Sequence, residues 1–295
     1  LFLFDVSDEI RLDDIRRVLN APQAGRNPTF RQPAPEYVQF ANPPVVESIE
    51  ALMLSGFGVV SLKLEMPFDG SWHDLVALSA RWMNNAELEF KAREARQRRL
   101  AHVAAALVYA YGNLLSEDYF VIHLHTGPQV DDAISAADLI ERHGDAIAQI
   151  VRGEAAKFSP AEQAEILESR MSYYESDLVV TGWSAALVYD TNEGAAPTIQ
   201  LLEYANTQLL EFRHYDAVLT GLLARVYRSL EGRGGLLARW RLAGEAERVD
   251  AIRLDVRELT ERVDNSIKFL SDMFAARLYR MAAAKIRVPD YRTFV

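Results

Sequence analysis

Two histidine-containing patterns are the places where residue types and spacing could support chemistry. His123 and His125 are separated by one residue at the end of the apolar stretch 119–124, which is typical of a strand. Residues two apart on a strand share a face, so both imidazoles could reach one metal ion. A catalytic zinc needs further protein ligands, and only His143 and His214 follow among the histidines. The sequence favours two histidines near a sheet edge, with a metal-dependent hydrolase as an alternative.

The second pattern is Glu211 followed three residues later by His214, with Glu203 two helical turns earlier. Carboxylate-bridged di-metal bundles use this Glu-x-x-His spacing, but they need two copies of it. No other histidine has a glutamate three residues before it. We therefore predict that this group makes hydrogen bonds between helices or lies on a solvated face. A metal site built from Glu203, Glu211 and His214 is the alternative.

Other catalytic signatures are missing from the sequence. The chain has no cysteine, which excludes disulfides, thiolate nucleophiles, zinc fingers and iron–sulfur clusters. Gly56-Phe57-Gly58 lacks the third glycine and the following helix of a dinucleotide loop. The sequence contains neither a phosphate-binding loop nor a nucleophile elbow. We predict no catalytic, cofactor-binding or metal-binding residue, and a non-enzymatic role is favoured.

The charge of the chain argues against nucleic acid as a partner. The sequence has 32 basic and 42 acidic residues, a formal net charge of −10. Such a chain repels phosphate backbones unless it presents a local basic patch. The one basic cluster alternates with glutamates at helical spacing, which predicts a salt-bridged solvent face; its members are Lys91, Arg93, Arg96, Arg98 and Arg99. The longest apolar run, about 103–115, is too short to span a bilayer.

The first 195 residues predict an α+β domain. Strands are expected at Leu1–Val6, Glu36–Phe40, Val59–Leu64 and Tyr119–Leu124, with helices at Glu9–Asn20, Ser71–Asn84 and Glu87–Tyr111. This βαββαβ order is that of a ferredoxin-like antiparallel sheet covered by helices. Further helices are predicted at 136–151 and 160–169, and a strand or hairpin around Gly182 at 178–189.

Residues 196–295 predict a second unit, a long antiparallel helical hairpin. Apolar residues recur every three or four positions over 198–231 and 236–287, and Gly232–Gly235 between them favours a reversal. Folding there would place Glu203 beside Lys268. It would also place Asp216, a polar break in the first seam, beside Arg253 or Arg257 as an ion-pair partner.

The second helix is predicted to be longer than the first and to extend beyond its end. Ser271–Arg287 would then carry an apolar stripe without a hairpin partner, on a segment that is basic in an otherwise acidic chain. An exposed stripe favours association, and basic residues accumulate beside membranes on the cytoplasmic side. We therefore expect this segment to be an oligomer contact and a membrane-proximal stalk.

Two stretches carry a family resemblance. Leu201–Asp216 and Glu258–Lys268 resemble a group of uncharacterised bacterial proteins whose full-length members continue into a C-terminal membrane helix. In plan, the chain is more distantly similar to the required-for-meiotic-nuclear-division family, which joins an α+β half to long helices and a membrane anchor. The resemblance brings no catalytic residues. It implies a membrane helix beyond Val295 that this chain does not contain.

Together these features predict a non-enzymatic soluble portion of a membrane-associated or scaffold-forming protein. We expect a homo-oligomer formed through the C-terminal helices and contact with a membrane surface near the C-terminal end. The expected location is the cytoplasm, with anchoring to the inner membrane by a segment outside this chain. A metal-binding protein or hydrolase and a cytosolic sensor domain of a transporter-like protein are the alternatives.

Overall fold

The structure is a computed structural model with strands concentrated in the first two thirds of the chain and long helices at the end. It describes residues 1–19, 37–39, 49–55, 58–83, 85–112, 115–126, 134–231, 248–261, 265 and 273–294. Antiparallel sheets in the N-terminal half are followed by one long helix and then further helices. The predicted α+β class is confirmed.

The first sheet has five antiparallel strands in the order β3-β4-β5-β1-β7. The strands are β1 (Phe2–Asp5), β3 (Tyr37–Gln39), β4 (Ile49–Ser55), β5 (Val59–Leu64) and β7 (Ser116–Asp118). Leaving out β3, the order β4-β5-β1-β7 is the ferredoxin-like order of the prediction. The predicted second strand, however, is only the edge strand β3. The position expected for the second strand is taken by β4, which lies between β3 and β5. The sequence of β4 alone does not distinguish helix from strand, and its pairing with β5 decides the conformation.

Two helices cover one face of this sheet, α1 (Leu12–Leu19) and α3 (Ala86–Val103). Ile15 of α1 and Ala92 of α3 share a buried core with Phe4 and Leu62 of the sheet. The predicted helix 87–111 is too long, because Ala104–Ala106 form a 3-10 turn and β6 (Leu107–Ala110) follows. Instead of extending the helix, the residues of β6 pair antiparallel with β2 (Ser7–Ile10) in a two-stranded sheet.

Gly58, the residue before β5, has a structural reason for being glycine. Its φ is +87°, a left-handed conformation that side chains rarely adopt. A Cβ at this position would also collide with the backbone oxygen of Ser7. The Gly56-Phe57-Gly58 pattern is therefore explained by chain geometry at its second glycine.

The second sheet has the order β8-β11-β10-β9. β8 (Phe120–His125) is parallel to β11 (Ala185–Asp190), while β10 (Leu178–Thr181) pairs antiparallel with β11 and with β9 (Arg170–Met171). The hairpin predicted around Gly182 is confirmed. The strand predicted at 119–124 lies in this sheet, and β7 takes its expected place in the first sheet.

Three helices pack on the outer face of the second sheet: α2 (Trp72–Trp82), α4 (Ala136–Arg152) and α5 (Pro160–Glu168). Capping starts each of them, since the side chains of Ser71, Ser135 and Ser159 accept hydrogen bonds from backbone N–H groups in the first turns. The shared core includes Leu75, Ile147 and Leu187.

α6 (Asn192–Glu231) fills the space between the two sheets. Leu210 packs with Leu3 and Val59 of the first sheet, whereas Leu201 and Phe212 share a core with Val188 of the second. Every residue from 201 to 212 is buried. A helix that is buried on all sides must be apolar or internally satisfied around its whole circumference. The first half of α6 is thus the common core of both sheets.

Three shorter helices complete the described chain: α7 (248–261), α8 (Met273–Lys285) and α9 (Val288–Phe294). Asp255 of α7 lies near enough to Tyr215 of α6 to raise the pKa of that tyrosine. This proximity of the two residues differs from the predicted hairpin pairing by less than one helical turn. The reversal predicted at Gly232–Gly235 and the predicted partner Lys268 lie outside the described residues. None of the helices in the described part of the chain is long and apolar enough to cross a membrane.

The apolar stripe predicted to lack a partner at 271–287 is, in its described part, buried within its own chain. Leu278 and Tyr279 of α8 are 1% and 3% exposed and share a core with α6. The Tyr279 hydroxyl donates a hydrogen bond to Gln208 of α6. Because α8 folds back onto α6, its apolar face is covered without a second copy.

Candidate functional site

His123 and His125 lie near the carboxyl end of β8, an edge strand of the second sheet, as predicted. His123 Nε2 is 3.1 Å from the backbone oxygen of Asp190. The two imidazole rings are 6.1 Å apart and inclined at 77°. His123 thus has a backbone partner on the neighbouring strand β11.

Glu203 lies apart from the pair Glu211 and His214. Eight residues of helix separate Glu203 from Glu211, about 12 Å at about 1.5 Å per residue. Burial raises the pKa of Glu203, and the neighbouring Ser61 hydroxyl opposes that rise. Across the described ranges, no group of three or more histidine, aspartate or glutamate side chains is arranged to hold a metal ion.

Glu211 and His214 instead belong to a cleft of about 660 Å³, which we call the acidic cleft. Strands β2 and β6 form one wall, and the facing sides of α6 and α7 form the other. On α6 the lining residues recur every three or four positions, which places them on one helical face. The described lining residues are Asp8, Glu9, Val108, Tyr109, Tyr111, Glu211, His214, Tyr215, Val218, Ile252, Asp255, Glu258 and Leu259.

Two carboxylates of the acidic cleft, Glu211 and Asp255, are unfavourably placed as anions. Glu211 is 6% exposed, and its Oε1 has no hydrogen-bond partner among the described residues. Burial, followed by the charges of Asp5 and Asp8, raises the pKa of Glu211 well above its ordinary value. Burial also raises the pKa of Asp255, and Asp8 and Glu258 add to that rise. Burial and neighbouring carboxylates therefore make the ionised forms of Glu211 and Asp255 unfavourable.

His214 is held in place from two sides. Its Nδ1 lies 2.6 Å from Oδ2 of Asp5, a strand residue that is only 1% exposed. Tyr111 stacks on the imidazole with ring centroids 4.6 Å apart and donates a 2.6 Å hydrogen bond to Asp8. Burial raises the pKa of Asp5, while the contact with His214 lowers it. His214 thus bonds to strand β1 rather than to another helix or to solvent alone.

Sequence reasoning missed Asp5 and Asp8, although Asp5 had a signal: it is a carboxylate inside the apolar strand that opens the chain. The predicted pairing of Asp216 with Arg253 or Arg257 is wrong. Arg257 Nε lies 3.1 Å from Glu261 on its own helix, and within the described segments Asp216 forms no ion pair. The side of α6 that faces α7 across the cleft carries Glu211, Tyr215 and Val218. Asp216 flanks this face and is partly exposed.

Neither a curated protein nor a solved structure matches the chain significantly. One family matches residues 1–196, which run from β1 to the first turns of α6. The match includes the β2 and β6 wall of the acidic cleft, whereas Glu211, His214 and α7 lie beyond it. On this match, the chain belongs to the family described as "Uncharacterized protein MJ0711, N-terminal domain".

Proposed function

We propose that this protein is a non-enzymatic scaffold module, the soluble portion of a membrane-associated protein, that self-associates through its long helices. The observation that carries the proposal is the exposed end of α6. Leu223 and Tyr227 on α6 are 53% and 65% exposed, whereas residues 201–212 of the same helix are all buried.

The exposed pair forms a coherent surface. Leu223 and Tyr227 are four residues apart, so they share one face of the helix. Large apolar side chains grouped on a surface favour contact with another protein. A second copy is the simplest occupant, because a two-fold dimer buries the same patch from both chains.

Sedimentation velocity tests self-association. Substituting both Leu223→Lys and Tyr227→Lys places charges in the proposed contact and should weaken dimerisation by at least about tenfold, roughly 1.4 kcal/mol. Met273→Lys is the matched control, since Met273 is 75% exposed on α8, outside the proposed contact. Unchanged association in the double variant, or equal weakening in the control, would contradict the proposed contact.

Membrane association is supported by the exposed side of α8 and by the resemblance to proteins with a C-terminal membrane helix. Arg277 and Arg280 are exposed on this helix. Arg287 beyond it stacks over Trp183, itself 53% exposed, with 4.7 Å between guanidinium carbon and ring centroid. Basic residues are attracted to anionic lipid headgroups, and tryptophan favours the membrane interface.

Flotation with vesicles containing anionic phospholipid tests this surface. We expect the chain to float with anionic vesicles, and the Arg277→Glu and Arg280→Glu double variant to bind at least about tenfold more weakly, because each basic residue contributes about 1 kcal/mol. The control reverses the exposed Arg81 and Arg142 on other helices. Equal loss in the control, or no flotation of the unmodified chain, would refute the membrane surface.

A further inference from the structure

We propose that the acidic cleft binds an aliphatic organic polycation, a chain of methylene groups carrying two or more ammonium groups. Such a ligand goes beyond the scaffold function, which does not need it. The proposal rests on the charge of the cleft, an unpartnered carboxylate in its wall, and its size and lining.

The charge of the lining selects for a cation. Five carboxylates line the cleft: Asp8, Glu9, Glu211, Asp255 and Glu258. Within the described lining, His214 is the one side chain that could carry a positive charge, and it already contacts Asp5. Like charges gathered at one surface repel one another, and a bound cation relieves that repulsion.

The burial of Glu211 and its missing hydrogen-bond partner point to a ligand rather than to a solvated acidic surface. Its side chain is in the cavity wall at only 6% exposure, with Oε1 lacking a hydrogen-bond partner in the described structure. A buried carboxylate without a partner costs free energy. An ammonium group would donate the missing hydrogen bond to it and place a positive charge beside it.

Size and lining distinguish an organic cation from a metal ion. The cavity of about 660 Å³ is far larger than a bare ion and lies within the usual range of about 300–1,000 Å³ for organic ligands. The walls also contain apolar residues, Val108, Val218, Ile252 and Leu259, suited to methylene groups. Three tyrosines, Tyr109, Tyr111 and Tyr215, complete the lining.

The carboxylates are spread in depth as well as around the rim. Glu211 is buried, whereas Asp8, Asp255 and Glu258 are exposed. One ammonium group would meet Glu211 within the cleft while another meets the exposed carboxylate of Asp255. A ligand with several amines along a chain would therefore use the cleft better than a single amine.

Isothermal titration calorimetry with spermidine, at constant ionic strength, tests the proposal. We expect one saturable site, with Glu211→Gln and Asp255→Asn each weakening affinity by about tenfold or more, because each removes a charge-assisted hydrogen bond to an ammonium group. Glu141→Gln, an exposed acid on α4, is the control and should bind as the unmodified chain does. Putrescine, with fewer amines, should bind more weakly than spermidine.

Thermal unfolding gives an independent readout. Spermidine should raise the melting temperature of the unmodified chain and of Glu141→Gln, and this increment should be reduced in Glu211→Gln and Asp255→Asn. Magnesium ions should not reproduce it. Equal spermidine affinity in all four proteins, or equal binding of magnesium at the same charge concentration, would overturn the proposal in favour of unspecific attraction to an acidic surface.

Discussion

Phe212→Ala is expected to lower the free energy of unfolding by about 3–5 kcal/mol. Phe212 is fully buried on α6, in the core that α6 shares with the second sheet. Removing the ring loses its transfer free energy and leaves a cavity that two sheets and several helices cannot all close. Urea unfolding followed by circular dichroism measures the change.

Phe90→Ala is the matched control for this substitution. Phe90 is also helical but 61% exposed, on the outer side of α3. Its truncation should change the free energy of unfolding by no more than about 0.5 kcal/mol. If both variants lose the same stability, or if Phe212→Ala loses less than about 1 kcal/mol, α6 is not the shared core described above.

Glu211→Gln should stabilise the protein, and the gain should depend on pH. The folded-state pKa of Glu211 is raised by burial and by the charges of Asp5 and Asp8. A carboxyl with a raised pKa favours folding below its unfolded pKa and loses that contribution as pH rises through the folded value. The free energy of unfolding of the variant should therefore exceed that of the unmodified chain at pH 8. The gap should narrow steadily toward pH 4.

The comparison needs urea unfolding at several pH values in the absence of polyamines. Glu141→Gln, which removes an exposed carboxyl from α4, should show no comparable gain. A Glu211→Gln variant that is less stable than the unmodified chain at pH 8 would mean that the buried carboxylate has a favourable partner. A gain that is the same at pH 4 and pH 8 would show that ionisation of Glu211 is not its cause.

Local signals in the sequence predicted elements well where neighbouring residues decide the conformation. Ser159, Pro160 and Glu162 predict the start of α5, and the Ser159 side chain accepts the hydrogen bond of the Glu162 backbone N–H. Ser71 and Asp74 likewise form the capping box that begins α2. These contacts span only three residues, so the sequence window that contains them is sufficient.

Long-range pairing was harder to predict because it depends on residues far apart in the chain. β4 becomes a central strand only by pairing with β5. β8 joins the second sheet because the distant strand β11 pairs with it in parallel. The acidic cleft depends on the same kind of contact, since Asp5 and His214 meet across more than 200 residues. The three-residue spacing of Glu211 and His214 suggests a functional site, but it does not reveal that the partner of His214 is Asp5 on strand β1.

Intermolecular spin-label distances test the self-association claim most directly. The chain has no cysteine, so Ala224→Cys, exposed between Leu223 and Tyr227, introduces one label beside the proposed contact. A second protein labelled only at the exposed Ala137 of α4 serves as the control. We expect a defined, short intermolecular distance at Ala224, and a longer or unresolved one at Ala137. Featureless background decay at Ala224, at concentrations where the chain is folded, would contradict association through the exposed end of α6.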